Sequence, residues 1–270
     1  MRMGVRKGAG DWRAVLCTGL LCLIGSTGSA TQTLRLSTGE LPPYATRERA
    51  DDGIALNIVR KAFSNAGYAV QYTFKPWTRS LEEARVGLFD GTAYWGKSPE
   101  RDAGFLISDN VMTEQWLFMY RDRPGAKVFD WESLADLKGQ RIAVVQSYTY
   151  TPEFWALQKS GVLTVEVAQD DLSNLRRMVA GRVDVTLIER NVACYLMNEH
   201  FTRDEVASLH AHPRLLTNQF TTHLMLSNKI PESADRMKAF NLGLAQLKKS
   251  KDYAAMLRYP ECSLALPNKS

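Results

Sequence analysis

DGTAYWGKSPERDAGFLISDNV, residues Asp90 to Val111, is the stretch whose parsing decides the fold. Asp90 to Trp95 is a short run expected to form a buried strand. It enters a turn containing Gly96 and Pro99, and the turn presents Ser98, Glu100 and Arg101. A second short segment is centred on Phe105 to Ser108. An arginine just past the carboxyl end of a strand is placed to fork onto a carboxylate, because its donors match two oxygens. The plainer reading pairs Arg101 with Glu100 or Asp102 at the surface, where ion pairs are worth little.

Outward from this stretch, the chain has 270 residues, enough for one large domain or two small ones with a sizeable core. Apolar content of 45% and charged content of 23% are those of an ordinary globular protein. The start is different. Arg2, Arg6, Lys7 and Arg13 flank or precede an apolar run from Ala14 to Ile24, and Gly28-Ser29-Ala30 follows. This pattern predicts a secretory signal peptide over 1–30, cleaved after Ala30. The run falls well short of the roughly 20 residues a membrane span needs. Neither Cys17 nor Cys22 sits in a lipobox-like context, so no lipid anchor is expected. The formal charge of +5 falls to +2 without residues 1–30, which hold four basic side chains and one acid. That leaves no basic face of the kind nucleic acid requires. Of the cysteines, Cys194 and Cys262 remain, and in an exported chain they permit one disulfide or two separate buried thiols. No CxxC or paired His spacing predicts a metal site, and His200, His210, His212 and His223 show no ligand spacing.

Strand and helix signals alternate along the chain. Leu34 to Ser37 reads as a strand, and Pro42-Pro43 holds the next segment as a loop. Ile54, Ile58, Val59, Ala62 and Phe63 mark a helix ended by Gly67. Val70, Tyr72 and Phe74 alternate as a strand, and Thr78 is the expected cap of a helix that buries Leu81 and Ala84. After a linker over Arg121 to Lys127 the order repeats. There is a strand over Arg141 to Val145 and a helix from Thr151-Pro152. A strand over Val162 to Val167 and a helix capped by Asp170 or Asp171 come next, then a strand over Val183 to Ile188 and a helix from Glu189 to Met197. Gly87-Leu-Phe-Asp90 and Gly181-Arg-Val-Asp184 each close a helix and open a strand, an internal echo of two βαβαβ halves. Leu224 to Leu226 reads as a returning strand, followed by helices over Ala234 to Lys249 and Asp252 to Arg258. Such alternation implies mostly parallel sheets flanked by helices, an α/β fold.

Ligands of open parallel sheets bind beyond the carboxyl ends of the strands. That rule selects Leu41 to Tyr44, Trp77, Tyr94, Trp95, Ser98 and Arg101 from the first half. From the second it selects Gln146 to Tyr150, with Ser147, Tyr148 and Thr149, and Glu189. The set holds a cation, an anion, hydroxyls and aromatic rings, which suits a zwitterion with a side chain. Each member also has a plainer role. Ser147 to Thr151 is a possible helix cap, Glu189 favours the first turn of its helix by charge, and the rings are equally core residues.

A hydroxyl residue, Pro, Glu and Arg, here Ser98-Pro99-Glu100-Arg101, followed by the apolar-Ser pair of Phe105 to Ser108, resembles the signature of the amino-acid-type, family 3, periplasmic solute-binding proteins of ABC importers. Asp136-Leu137-Lys138-Gly139 and Gly181 to Glu189 extend the likeness over nearly all of the chain after residue 30. The resemblance implies a type II periplasmic-binding fold. That fold has two lobes, each a mostly parallel sheet flanked by helices, joined by two hinge strands. Lobe I would take 31–120 and 222–270, and lobe II 121–221. It implies that Arg101 holds a ligand carboxylate, shared across the cleft with the Ser147 to Thr149 loop, and that Glu189 meets the amino group. It also implies a Cys194–Cys262 disulfide, as in the related core of ionotropic glutamate receptors. No cofactor is implied. The partners would be an amino-acid-like solute and an inner-membrane ABC permease, met by a monomer in the periplasm. There are departures. Tyr94-Trp95-Gly96-Lys97 replaces a small, hydroxyl-rich strand end, the loop after Gln146 lacks its glycine, and Pro42-Pro43-Tyr44 replaces an aromatic-Pro-Phe order. These bear on the ligand's identity, not on the fold.

Three functions compete on this scaffold. The first is a receptor that closes on a solute and delivers it to a permease. The second is an enzyme of the cyclohexadienyl dehydratase type, for which Glu189 is the one visible acid or base. The third is a sensor that reports ligand to a membrane partner. The residues favour the receptor, a binding protein and not an enzyme.

Overall fold

Leu34 and Leu36 turn inward while Thr33 and Arg35 stay exposed, the two-residue period that makes Thr33–Thr38 a strand, β1. A computed structural model describes residues 31–121, 128–146 and 150–259 together with Met1, Gly8, Gly125, Tyr148, Cys262 and Leu264, and the side chains of all of these except Arg101 and Asp102. Apart from Met1 and Gly8, the expected signal peptide lies outside the described residues, as do most of the expected linker, Ser147 and Thr149. Residues 31–270 form one unit, and residues 1–30 another.

In the first half, α1 (Ile54–Asn65) buries the apolar face its spacing predicts, and the chain turns at Gly67 with φ +83°. β2 (Ala69–Phe74) runs parallel to β1. α2 (Trp77–Arg85) buries Leu81 and Ala84, but its N-cap is Pro76 and not Thr78, which lies inside the first turn. Proline fixes the entry φ, and no side chain caps this end. β3 (Gly91–Gly96) joins β1 in parallel. The expected turn after it winds into a four-residue helix, α3 (Pro99–Asp102), and β4 (Phe105–Ile107) follows.

The second half repeats the pattern. β6 (Arg141–Val145), β7 (Thr164–Ala168) and β8 (Val185–Glu189) are parallel strands. They are preceded by β5 (Met112–Arg121), which sequence periodicity left unassigned. Between them lie α4 (Pro152–Lys159), capped by Thr151, and α5 (Asp171–Val179), capped by Asp170 through Ser173 N at 2.7 Å. After β8 come α6 (Arg190–His200), α7 (Arg203–Ala207) and β9 (Leu209–Ser227). α8 (Ser233–Lys248) and α9 (Lys251–Met256) close the chain. The returning strand expected at Leu224 to Leu226 is therefore the end of a much longer one.

The internal echo is structural. Asp90 accepts from Arg35 N at 2.7 Å, and its own N–H donates to Arg35 O. Asp184 makes the same exchange with Arg141, accepting from its N–H at 2.9 Å. In both halves an acid at the mouth of the third strand ties it to the first, after a glycine with positive φ, Gly87 or Gly181. The strand order is β2-β1-β3-β9-β5-β8-β6-β7, with β4 also on β9. The antiparallel pair β5 and β9 thus joins the half-sheet β2-β1-β3 to the half-sheet β8-β6-β7. These are two lobes on two crossing strands. Cys194 of α6 is bonded to Cys262, which ties the chain's last segment to the second lobe. No helix among the described residues is long and apolar enough to cross a membrane.

Candidate functional site

β5 turns Met112, Glu114, Trp116 and Phe118 inward, so one acid occupies an otherwise apolar stripe. Trp116 sits opposite Glu189 at the end of β8, which places Glu114 just past that end, on the crossing strand. On the first lobe, β3 is interrupted. Ala93 pairs with Leu224 and Trp95 with His223, so Tyr94 is an extra residue, held at φ +70°. A bulge with left-handed backbone at a bulky residue is costly, on the order of 1–3 kcal/mol. Here it turns two successive rings to the same space. Tyr94 donates its hydroxyl to Glu114 Oε1 at 2.5 Å, and Trp95 Nε1 donates to Thr92 at 2.8 Å. Trp116 Nε1 donates to the other Glu114 oxygen at 2.8 Å.

Three carboxyl groups are buried around this point. Glu114 is 3% exposed, Glu189 2% and Asp171 3%. Burial, and then the Glu189 charge, push the Glu114 carboxyl well above the usual carboxylate range. Burial raises Glu189 as well, against the hydrogen bonds it accepts from Val192 N, the Tyr44 hydroxyl and Asn191 N. Asp171 is raised to about 7, again chiefly by burial, against the hydrogen bond from Tyr148. The charges that act on Glu114 and Asp171 are those of other acids, which is the arrangement that favours a proton or an incoming cation. Among the described residues no His, Cys, Asp and Glu cluster has the arrangement of a metal site.

The rings and the acid enclose space between the lobes. A cavity of about 50 Å³ is lined by Trp77, Tyr94 and Trp95 from the first lobe, Tyr148 from the second, and Glu114 and Trp116 on the crossing strand. That is room for about one or two waters. Trp77 and Trp95 meet edge to face at 5.1 Å, as do Trp116 and Tyr148 at 6.1 Å. A wider cleft of about 620 Å³ runs from Lys97, Ser98 and Glu100 to Tyr150 and Trp155. A third, of about 290 Å³, has Glu40, Arg47 and Lys75 facing Gln169 and Asp170. Tyr148 lines all three.

No family model matches the chain, and no curated protein matches it in sequence. Solved structures do match in shape. A histidine kinase sensor domain with similarity to periplasmic binding proteins superposes with a TM-score of 0.68 at 18% identity, over 84% of this chain and 94% of that one. A periplasmic binding protein of high arginine specificity from Salmonella typhimurium gives 0.63 at 16% identity, over 84% and 97%. The GluR0 ligand-binding core from Nostoc punctiforme, in complex with L-glutamate, gives 0.64 at 15%, over 83% and 96%. The chain has the type II periplasmic-binding fold. Its two lobes, crossing strands and interlobe cleft are the parts of that fold.

Within this periplasmic-binding fold, Trp77, Tyr94, Trp95 and Tyr148 meet around the small cavity, and Ser98 lines the wide cleft. Tyr44 lies beside them, buried, with its ring 5.5 Å from Tyr94. Its hydroxyl accepts from Asn191 Nδ2 at 2.8 Å and bonds the Glu189 carboxylate across the lobes. Glu189 lines none of the three cavities. It caps α6 through Asn191 N and Val192 N at 2.7 and 3.0 Å. Arg101 has its backbone in α3, its side chain lying outside the described residues, as do Ser147 and Thr149. Sequence reasoning missed Glu114, Trp116, Asp171 and Asn191 as site residues. Glu114 had a readable signal, since it falls in register with Met112, Trp116 and Phe118.

Proposed function

We propose that the protein is an extracytoplasmic solute receptor that closes its two lobes on a small zwitterionic or cationic solute of the amino-acid class and delivers it to an ABC importer. The observation that carries this is the aromatic cavity between the lobes, with the Glu114 carboxyl in its wall. Rings from both lobes can sandwich a side chain, and their faces favour a cation. A carboxyl held up by burial ionises when a positive group arrives beside it. Arg101 remains the candidate for the solute's carboxylate. The ligands of the neighbouring structures, arginine for one and L-glutamate for another, belong to the same class. The disulfide suits an oxidising compartment outside the cytoplasm.

Thermal unfolding of the chain without residues 1–30, against a panel of amino acids, amines and organic acids, tests the reading. At about a hundred times Kd a true solute adds about 2.7 kcal/mol, which is roughly 5–10 °C for a chain this long. Basic or neutral amino acids should produce that shift. A panel in which none does would remove the receptor reading. As a binding protein it should also leave prephenate and arogenate unchanged on prolonged incubation.

A sensory role is the second reading, favoured by the likeness to a histidine kinase sensor domain. Co-purification separates the two. Retention of a permease supports import, and retention of a kinase supports sensing.

A further inference from the structure

α5 carries two polar side chains on the face where a helix packed on a sheet places apolar ones. Its buried stripe is Asp171, Asn174, Leu175 and Met178, the i, i+3, i+4, i+7 spacing of a core-facing side. Asn174 is 0% exposed, and neither its Oδ1 nor its Nδ2 has a partner. One Asp171 oxygen accepts from the Tyr148 hydroxyl at 3.0 Å, and the other, Oδ1, has none. Buried polar atoms without partners are rare, because each has lost water and gained nothing. Two acceptor oxygens of this kind, Asp171 Oδ1 and Asn174 Oδ1, and one donor, Asn174 Nδ2, lie within one turn of helix. Leucine at Asn174 would fill the same space without that cost.

Their place in the fold supplies a reason. Asp171 opens α5 shortly after β7 ends at Ala168, at the strand ends where the interlobe cavities open. Its one partner, Tyr148, lines all three of those cavities. Tyr148 thus touches both the cavities and Asp171, while Asp171 and Asn174 themselves lie behind it and line none of the three. The charges acting on Asp171 are those of Asp170 and Glu189, both negative.

We infer that Asp171 and Asn174, with the Tyr148 oxygen, form a second anchoring point for the far end of the solute, and that the group held there is a primary ammonium. The three side chains offer one acceptor oxygen each, and an ammonium has three donors and no acceptor. Methylenes leading to it pack on the rings of Trp116 and Tyr148. This rests on the receptor reading above and narrows its solute to an amino acid with a terminal amine.

Lysine and norleucine test it, since they differ only in the terminal ammonium. Calorimetric titration of the protein should show lysine bound at least tenfold more tightly than norleucine. Asp171→Asn should remove that gap and leave norleucine affinity unchanged. Asn174→Leu should do the same while raising the melting temperature of the unliganded protein, an effect a merely structural asparagine would not produce alongside a lysine-specific loss. If either variant weakens both ligands equally, or leaves lysine untouched, the anchoring point is wrong and the receptor stands. If the unmodified protein binds neither ligand, the anchoring point is overturned, and the receptor reading falls with it only when the wider amino-acid panel also gives no shift.

Discussion

At the scale of single residues, the buried acids set how the protein answers pH. Asp171 is raised from an ordinary 3.8 to about 7, with burial the main cause. The folded state therefore holds this proton more tightly than the unfolded chain does. Its contribution to stability is complete below about pH 4 and is lost as the pH climbs through about 7. Glu114 and Glu189 act in the same direction. The groups facing Asp171 are the Tyr148 hydroxyl, Asp170 and Glu189, and none of them reverses the sign. Urea unfolding at about pH 4.5 and about pH 7.5 should show stability falling over that interval, by an amount on the order of a few kcal/mol. Asp171→Asn should lose less over the same interval, because its amide does not titrate. Identical losses in the two proteins would mean that Asp171 titrates normally.

At the scale of elements, packing turns on places where two backbones touch. Gly243 lies on α8 where a Cβ would stand 2.1 Å from the carbonyl oxygen of Ala62 on α1. Phe63 and Phe240 meet at a tilt, their ring centroids 4.9 Å apart. A backbone oxygen cannot give way as a side chain can. Gly243→Ala should therefore lower stability by about 1–3 kcal/mol despite alanine's better helix propensity, as measured by thermal or urea unfolding. A neutral or stabilising result would mean that α8 is free to shift away from α1. The helices themselves were legible because their apolar spacing is local. α1, α5 and α8 start and stop within a residue or two of where sequence periodicity puts them. So were β1, β6 and the Gly-x-x-Asp mouths of β3 and β8. The crossing strands were not. β5 carries an acid within its apolar stripe, and β9 is half exposed over Leu209 to Thr221, so neither shows a clean period. The candidate site divided along the same line. Rings at strand ends followed from a topological rule. Glu114 and Asp171 become site residues only through the crossing of β5 and the packing of α5, which no local pattern records.

At the scale of the whole molecule, the lobes are held together by protein groups as well as by whatever lies between them. Tyr44 and Glu48 follow β1 in the first lobe, and Asn191 and Tyr195 belong to α6 in the second. Tyr44 accepts from Asn191 Nδ2 at 2.8 Å, and Tyr195 donates to Glu48 Oε2 at 2.7 Å. With the bond from the Tyr44 hydroxyl to the Glu189 carboxylate, three bonds of about 1 kcal/mol net each favour closure by about 3 kcal/mol, on the order of a hundredfold in the ratio of closed to open molecules. A solute that needs the lobes apart to enter must work against this latch. One that bridges the lobes after entry is helped by it. Removing both hydroxyls, by Tyr44→Phe with Tyr195→Phe, keeps the rings and deletes the bonds. The unliganded double variant should be more open, with a larger radius of gyration by small-angle X-ray scattering, and should admit solute faster. Its affinity should fall, since the closed state that holds the solute is less populated. A scattering profile that does not change on losing both hydroxyls would show that the latch adds nothing to closure.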